Sequence, residues 1–357
     1  MRRRTLYGPV NSRRFGRSLG VDLVPHKICS YDCNYCQLGR TTDLVATPRE
    51  FVAPDEILAD LDAALSGGAA PDVITLAGSG EPTLYRDLGA VVVGIKARTE
   101  VPLLLLTNGS LLWDPAVRDA VREVDLLEPS LDAPDETTWR RINRPPEEHG
   151  FDRMVEGIRD AARVHPGRLR VEVMLLRGLN DAPAQLQAFA ALLATIPKEG
   201  VDINSPVRPV PEADVFPCDL ATLERARRLF GVGTEIIATR QGPEPLRVHR
   251  GAPTADGVLA SLERRPQTLA DLAAGLAIAP SEVARVLEAL VEGGRDRRRA
   301  PQRRGVLPRA LSRCGRPVHG PICGRPVHGP ICGRPVHGPI CGRPVHGPIC
   351  GRPVHGP

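Results

Sequence analysis

The sequence predicts an α/β fold, an open or partial barrel of parallel strands, and three observations carry that prediction. Short β-branched or leucine-rich runs alternate with longer amphipathic segments, at the spacing of strand–helix–strand crossovers. The strand-like runs end in glycine and small polar residues, as they do where parallel strands open onto a binding mouth. The pattern then stops near residue 245, and the composition changes twice beyond it. About six such units suit an incomplete barrel better than a closed eight-fold one.

The elements follow in order. Gly20-Val21-Asp22-Leu23-Val24-Pro25 reads as a first strand, with a cysteine-bearing loop after it. A helix runs from Pro54 to Leu65: proline opens it, Ile57, Leu58, Leu61 and Leu65 share one face, and Gly67-Gly68 ends it. Val73 to Ala77 is a buried strand that stops at Gly78-Ser79-Gly80, and a helix follows near Asp87 to Ala97. Leu103 to Leu106 is the next strand, stopping at Thr107-Asn108-Gly109. Helix Asp114 to Glu123, extended Leu126 to Leu131, helix Phe151 to Val164 and strand Leu169 to Leu176 continue the alternation. Helix Pro183 to Ile196, strand Val201 to Asn204, helix Asp219 to Leu229 and strand Glu235 to Ala238 close a first domain over 1–245.

The stretch 250–293 differs. It offers three short helical patterns, Asp256–Leu262, Leu269–Leu276 and Ser281–Leu290, with Thr268 and Ser281 placed as N-caps. This resembles a winged-helix or helix-turn-helix module, although no strand pattern for a wing follows Gly294. The remainder, 294–357, is arginine-rich and then repeats Cys-Gly-Arg-Pro-Val-His-Gly-Pro-Ile every nine residues from Cys314. Each repeat holds two prolines, two glycines and no aromatic, so it cannot bury a core and predicts a disordered tail. Its identical copies look like a translated tandem DNA repeat.

Charge follows the same division. The formal net charge of the 357 residues is +5, but the tail from Gly294 carries thirteen arginines against one aspartate. The body before it holds 34 basic and 41 acidic residues, a net −7, so the total charge is no argument that the folded part binds nucleic acid. No run of eighteen apolar residues occurs, so no membrane span is expected. The basic start Met1-Arg2-Arg3-Arg4 lacks the apolar stretch of a signal peptide, and a cytoplasmic protein is expected.

The chemistry concentrates at Cys29-Ser30-Tyr31-Asp32-Cys33-Asn34-Tyr35-Cys36, a Cys-x3-Cys-x2-Cys loop directly after the first strand. Clustered cysteines in such a compartment favour a metal over disulfides. Three thiolates on one compact loop can hold three irons of a 4Fe–4S cluster and leave the fourth open to a bidentate small molecule. A zinc site would show paired Cys-x2-Cys or Cys/His sets. Cys218 stands alone before a helix and is expected to be structural; a second cluster lacks the cysteines it would need.

The Cys29–Cys33–Cys36 motif, with Tyr35 before the last cysteine, resembles the radical S-adenosylmethionine superfamily. The resemblance implies a partial (β/α)6 radical-SAM barrel, a 4Fe–4S cluster on Cys29, Cys33 and Cys36, and S-adenosylmethionine as cofactor. It implies that Tyr35 lies near the adenine, and that Gly80 and Glu81 in Gly78-Ser79-Gly80-Glu81-Pro82 meet the methionine amino group. Asn108, Ser130 and Asp132, at the ends of the next two strands, are implied to meet the ribose and the methionine carboxylate. Met174 to Leu176 and Asn204-Ser205-Pro206 are candidates to line the adenine pocket, with a plain core role the favoured one for Met174. The stretch Tyr7 to Gly20, with Val207-Arg208-Pro209, is similar to a branch grouped with tRNA wyosine-synthesis-like Fe–S oxidoreductases. Arg13, Arg14, Lys27 and Arg208 are candidates to hold an anionic substrate or the cofactor carboxylate.

Two function classes follow. The first is an enzyme that cleaves S-adenosylmethionine reductively to a 5′-deoxyadenosyl radical, with a flavodoxin or ferredoxin as reductant and RNA, protein or a small molecule as substrate. The second is an Fe–S nucleic-acid-binding regulator, with the winged-helix-like region as reader. A sensor has no need of the Gly80, Glu81, Asn108 and Ser130 constellation, which favours the enzyme.

Overall fold

The computed structural model describes residues 3–238 except 13, 207–209 and 211, together with 255, 258–259, 262, 269–276 and 280–296. A hairpin of β1 (Leu6–Ser12) and β2 (Gly16–Val21) opens the chain. A small parallel pair follows, β3 (Ile28–Cys29) and β4 (Asp43–Leu44), then α1 (Pro54–Ser66). The alternation continues with β5 (Val73–Leu76), α2 (Leu88–Lys96), β6 (Leu103–Thr107), α3 (Pro115–Ala120) and β7 (Leu126–Pro129). Next come α4 (Glu136–Asn143), α5 (Phe151–Val164), β8 (Arg168–Met174), α6 (Pro183–Ala194), β9 (Gly200–Asn204), α7 (Leu220–Phe230) and β10 (Glu235–Ile236).

The main sheet has the order β1-β2-β5-β6-β7-β8-β9-β10. All neighbours from β2 to β10 pair in parallel, and only β1 runs antiparallel to β2. The α/β class and its mostly parallel sheet therefore stand as predicted. The first strand differs: it begins at Gly16, and β1 before it carries no expectation from the sequence. The hairpin turns where Ser12 Oγ accepts the amides of Arg14 (3.2 Å) and Phe15 (3.3 Å), and Gly16 takes a φ of +71°. Helix α4 likewise carries no expectation from the sequence, although Asp135 caps it by accepting the Thr138 amide at 2.8 Å.

The strand period of two writes two different faces. Leu19, Val21, Ile74, Leu76, Leu103, Leu105, Leu127, Val171, Val173, Val201 and Ile203 belong to one fully buried apolar core that also takes in the apolar faces of the helices. Burying each such side chain is worth about 1.5–3 kcal/mol. The alternate positions carry Ser18, Thr75, Glu128, Arg170, Glu172, Asp202 and Asn204. Polar side chains in the middle of a parallel sheet mark the second face as one built for chemistry.

Helices α8 (Leu269–Leu276) and α9 (Pro280–Asp296) pack on each other through Leu272, Ala273 and Val283. The remaining expectations for a winged-helix-like module, most of Asp256–Leu262 among them, and those for the tail beyond Asp296 lie outside the described residues. So do Arg13 and Val207-Arg208-Pro209. Among the described residues no helix is long and apolar enough to cross a membrane.

Candidate active site

The cysteine loop is braced from below by the ends of β2 and β5. Arg3 donates to the carbonyls of Asp22 (2.9 Å), Leu23 (3.2 Å) and Val24, and pairs with the Asp22 carboxylate. Asp22 in turn accepts the Ser79 amide (2.9 Å) and hydroxyl (2.6 Å), which explains a serine at this position of the Gly78–Pro82 segment. Ser79 O then receives the Lys27 amide at 2.7 Å, and Ile28 O receives the Glu81 amide at 3.2 Å. Gly80 is obligatory in this arrangement: a Cβ there would stand 1.9 Å from Ile28 O.

The other side of the loop is held by the end of α4. The Asp32 amide donates to Asn143 O (3.0 Å) and the Asn34 amide to Ile142 O (2.9 Å). Cys29, Cys33 and Cys36 are half-buried free thiols. Each sulfur has a nitrogen donor beside it: Asn108 Nδ2 at 3.7 Å from Cys29, Asn143 Nδ2 at 3.3 Å from Cys33, and Lys27 Nζ at 3.2 Å from Cys36. Burial, then Glu81, pushes the Cys29 thiol up to about 12. Burial, then Asp132 and the other two cysteines, pushes Cys33 well above its usual range. Such thiols become thiolates only against strong positive charge, which bound metal supplies. A sulfur-only set spread along one loop fits an iron–sulfur cluster and not a closed zinc site.

The acidic and polar residues singled out in the sequence surround this loop in different ways. Glu81, 3% exposed, spends its carboxylate on Thr83 (amide 3.0 Å, hydroxyl 2.7 Å), the Thr107 hydroxyl (2.6 Å) and the Asn108 amide (2.8 Å). Burial still raises it above the ordinary carboxylate range. Asn108 bridges Ser30 Oγ (2.8 Å) and the Ser110 amide (3.0 Å). Asp132 accepts from the Tyr35 hydroxyl, from Asn143 Nδ2 (2.8 Å) and from the Met174 amide (3.1 Å); burial nevertheless pushes it up to about 6. The Ser130 amide donates to Thr107 O at 2.9 Å, and among the described residues its hydroxyl makes no hydrogen bond. Lys27 is turned onto Cys36 and is 2% exposed. Cys218 lies in the core, its amide on Ser205 Oγ (3.0 Å).

Beside Tyr35 and Cys36 opens a cavity of about 350 Å³ on the polar face of the sheet. Tyr7, Phe15, Thr75, Leu106, Glu172 and Met174 are among its walls. Arg14, also on the wall, projects from the hairpin onto three carboxylates: Nη1 touches Glu128, and stands 2.9 Å from Glu172 and 3.6 Å from Asp202. Asp202 is shared with Arg170. Burial drives Glu128 well above the carboxylate range, against the pull of Arg14 and with the push of Glu172 and Asp202. Sequence reasoning missed Asn143, Glu128, Glu172 and Asp202. A signal existed for the last three, since charges at alternate positions of otherwise apolar strands face a cavity or each other.

A parallel sheet with a three-thiol loop after its first parallel strand and a polar cavity alongside defines the class. The sequence profile of the Radical SAM superfamily matches residues 23–190. The Helicobacter pylori UPF0026 protein is 38% identical over 262 residues, 68% of this chain and 84% of that protein. The chain belongs to the radical SAM superfamily, among the UPF0026 proteins. Members of that superfamily are enzymes that use a 4Fe–4S cluster and S-adenosylmethionine. The Brachyspira hyodysenteriae protein named GTPase Obg is 34% identical over 298 residues, 83% of this chain. The chain spans only 44% of that relative, and it has no Gly-x4-Gly-Lys-Ser/Thr phosphate loop. The crystal structure of a radical SAM methyltransferase from Sphaerobacter thermophilus shares the fold, with a TM-score of 0.50 at 20% identity over 63% of this chain and 67% of that one.

Proposed function

We propose that residues 1–245 form an enzyme domain in which Cys29, Cys33 and Cys36 hold three irons of a 4Fe–4S cluster, leaving the fourth for S-adenosylmethionine. The observation that carries this is the donor set: three thiols on one braced loop, with Glu81 and Asp132 committed to hydrogen bonds elsewhere. Held by Cys29, Cys33 and Cys36, such a cluster would supply the single electron for reductive cleavage of S-adenosylmethionine into methionine and a 5′-deoxyadenosyl radical, the species that would abstract a substrate hydrogen atom.

The chain's own residues then have distinct tasks. Gly80 leaves the space that lets its segment sit on the cysteine loop, and Glu81 fixes Asn108 through its backbone. Tyr35, held by Asp132, forms the wall between loop and cavity and is assigned to the adenine side. The unengaged Ser130 hydroxyl is assigned to the cofactor, with Asn108 beside it. The cavity over Arg14 and Glu172 takes the reacting part of the substrate and shields it from water. A one-electron donor of the flavodoxin or ferredoxin type would reduce the cluster, and the cytoplasm supplies the reducing setting this needs.

The test is anaerobic. Protein loaded with iron and sulfide is given dithionite and S-adenosylmethionine, and 5′-deoxyadenosine is measured against a Cys33→Ala variant. Formation above that control is expected; equal traces from both proteins would remove the proposal. A regulator that merely senses through the cluster leaves the cavity and its Arg14 network without a task, and we do not adopt it.

A further inference from the structure

The three donors on the three sulfurs are not alike. Asn108 and Asn143 bring neutral amides to Cys29 and Cys33, whereas Lys27 brings an ammonium to Cys36. Lys27 is also held in an unusual way. Its φ is +58°, one of only two non-glycine residues with positive φ among the described residues. Both sides of its peptide unit are tied down, the amide to Ser79 O at 2.7 Å and the carbonyl by the Thr42 amide at 3.0 Å and hydroxyl at 3.1 Å. The turn thus points a long cationic side chain inward, where it is 2% exposed. Among the described residues its ammonium has no carboxylate partner, and its one hydrogen bond is to Cys36 Sγ.

A buried cation without an anion is costly, and proteins retain one only where a negative charge meets it. Three thiolates around an iron–sulfur core supply that charge, and one-electron reduction adds to it. A cation or N–H donor on a ligating sulfur favours the more negative, reduced state.

We propose that Lys27 is a positioning residue for the reduced state: its ammonium on Cys36 Sγ offsets the incoming electron and makes the cluster easier to reduce than a neutral residue would. The inference rests on the cluster assignment above. It departs from the expectation that Lys27 holds a substrate anion, because the ammonium is turned to the sulfur. It also gives the strained turn at Lys27 a purpose, since a relaxed backbone there would aim the side chain elsewhere.

The experiment is a redox titration of the loaded protein followed by electron paramagnetic resonance, without S-adenosylmethionine, on the native chain and on Lys27→Gln, Lys27→Met and Lys27→Arg. At a fixed potential the Gln and Met variants should show a reduced-to-oxidised ratio at least tenfold lower, about 59 mV in midpoint for one electron. Lys27→Arg, which keeps the charge, should stay within threefold of the native ratio. Iron and sulfide content is measured on each protein, so that only fully loaded samples are compared. If Lys27→Met does not load, the Gln and Arg pair decides. Native-like midpoints in fully loaded Gln and Met variants would overturn the proposal, as would a Gln variant that behaves like the native chain while Met does not, since a hydrogen bond would then suffice. A native chain that takes up no cluster would overturn the enzyme assignment first, and this inference with it.

Discussion

Replacing Arg14 with methionine tests the electrostatics of the cavity. The substitution keeps the length and the apolar stem but removes the charge that faces Glu128, Glu172 and Asp202. Asp202 retains Arg170, at 2.5 and 3.1 Å, and Glu172 retains Asn204, at 3.1 Å. Glu128 loses its one ionic partner, and its Oε2 already lacks any partner. Breaking a buried ion pair from one side costs about 3–5 kcal/mol. Protonation limits the loss, because burial and the neighbouring carboxylates already hold Glu128 well above 4.5. A carboxyl raised in the folded state contributes stability that is full below its unfolded value and fades as pH rises through its folded value. Without Arg14 that folded value rises further, so the deficit of the variant should grow with pH. Urea unfolding of the apo-protein should give a loss of about 3 kcal/mol at alkaline pH, above the raised Glu128 range, and a smaller one in the ordinary carboxylate range. A loss under about 0.5 kcal/mol, the scale of a neutral surface change, or one that shrinks as pH rises, would refute the reasoning.

Two further outcomes follow from the loop itself. In Gly80→Ala the new Cβ would sit 1.9 Å from Ile28 O and 2.7 Å from Val24 Cγ2, so the segment must lift off the cysteine loop and give up the Glu81–Ile28 hydrogen bond. Overpacking and the lost bond together predict about 2–4 kcal/mol of destabilisation in urea unfolding and a lower iron content after loading. Asp132, raised from 3.8 to about 6, contributes stability that is full below 3.8 and lost as pH climbs to about 6. The apo-protein should therefore lose about 3 kcal/mol from this group across that window, and Asp132→Asn should flatten the slope in matched unfolding titrations.

The parallel part of the sheet was legible because buried strands such as Val73–Leu76 and Leu103–Thr107 are short continuous apolar runs with glycine or asparagine at their ends. The β1–β2 hairpin was not, because Leu6–Ser12 is half-exposed along its length and carries glycine and proline in place of an apolar alternation. Helix α4 hid for a similar reason: its surface is mostly charged, and only Trp139 and Ile142 supply apolar burial. The three thiols were legible from spacing alone. The donor to Cys33 was not, since Asn143 reaches it from 110 residues away and only the packing of α4 makes them neighbours. Glu81 shows the limit from the other side. Its place in the segment and its local partner Thr83 were within reach of the sequence, but its partners Thr107 and Asn108 appear only once β5 and β6 are paired.

The most direct measurement is electron paramagnetic and double resonance on the reduced, loaded protein with S-adenosylmethionine labelled at the amino nitrogen and the carboxylate oxygen. The account predicts a spectrum that shifts on adding the cofactor and shows coupling to both labels, because one iron has no cysteine to hold it. A cluster whose spectrum ignores the cofactor, or protein that takes up zinc and no cluster, would contradict it.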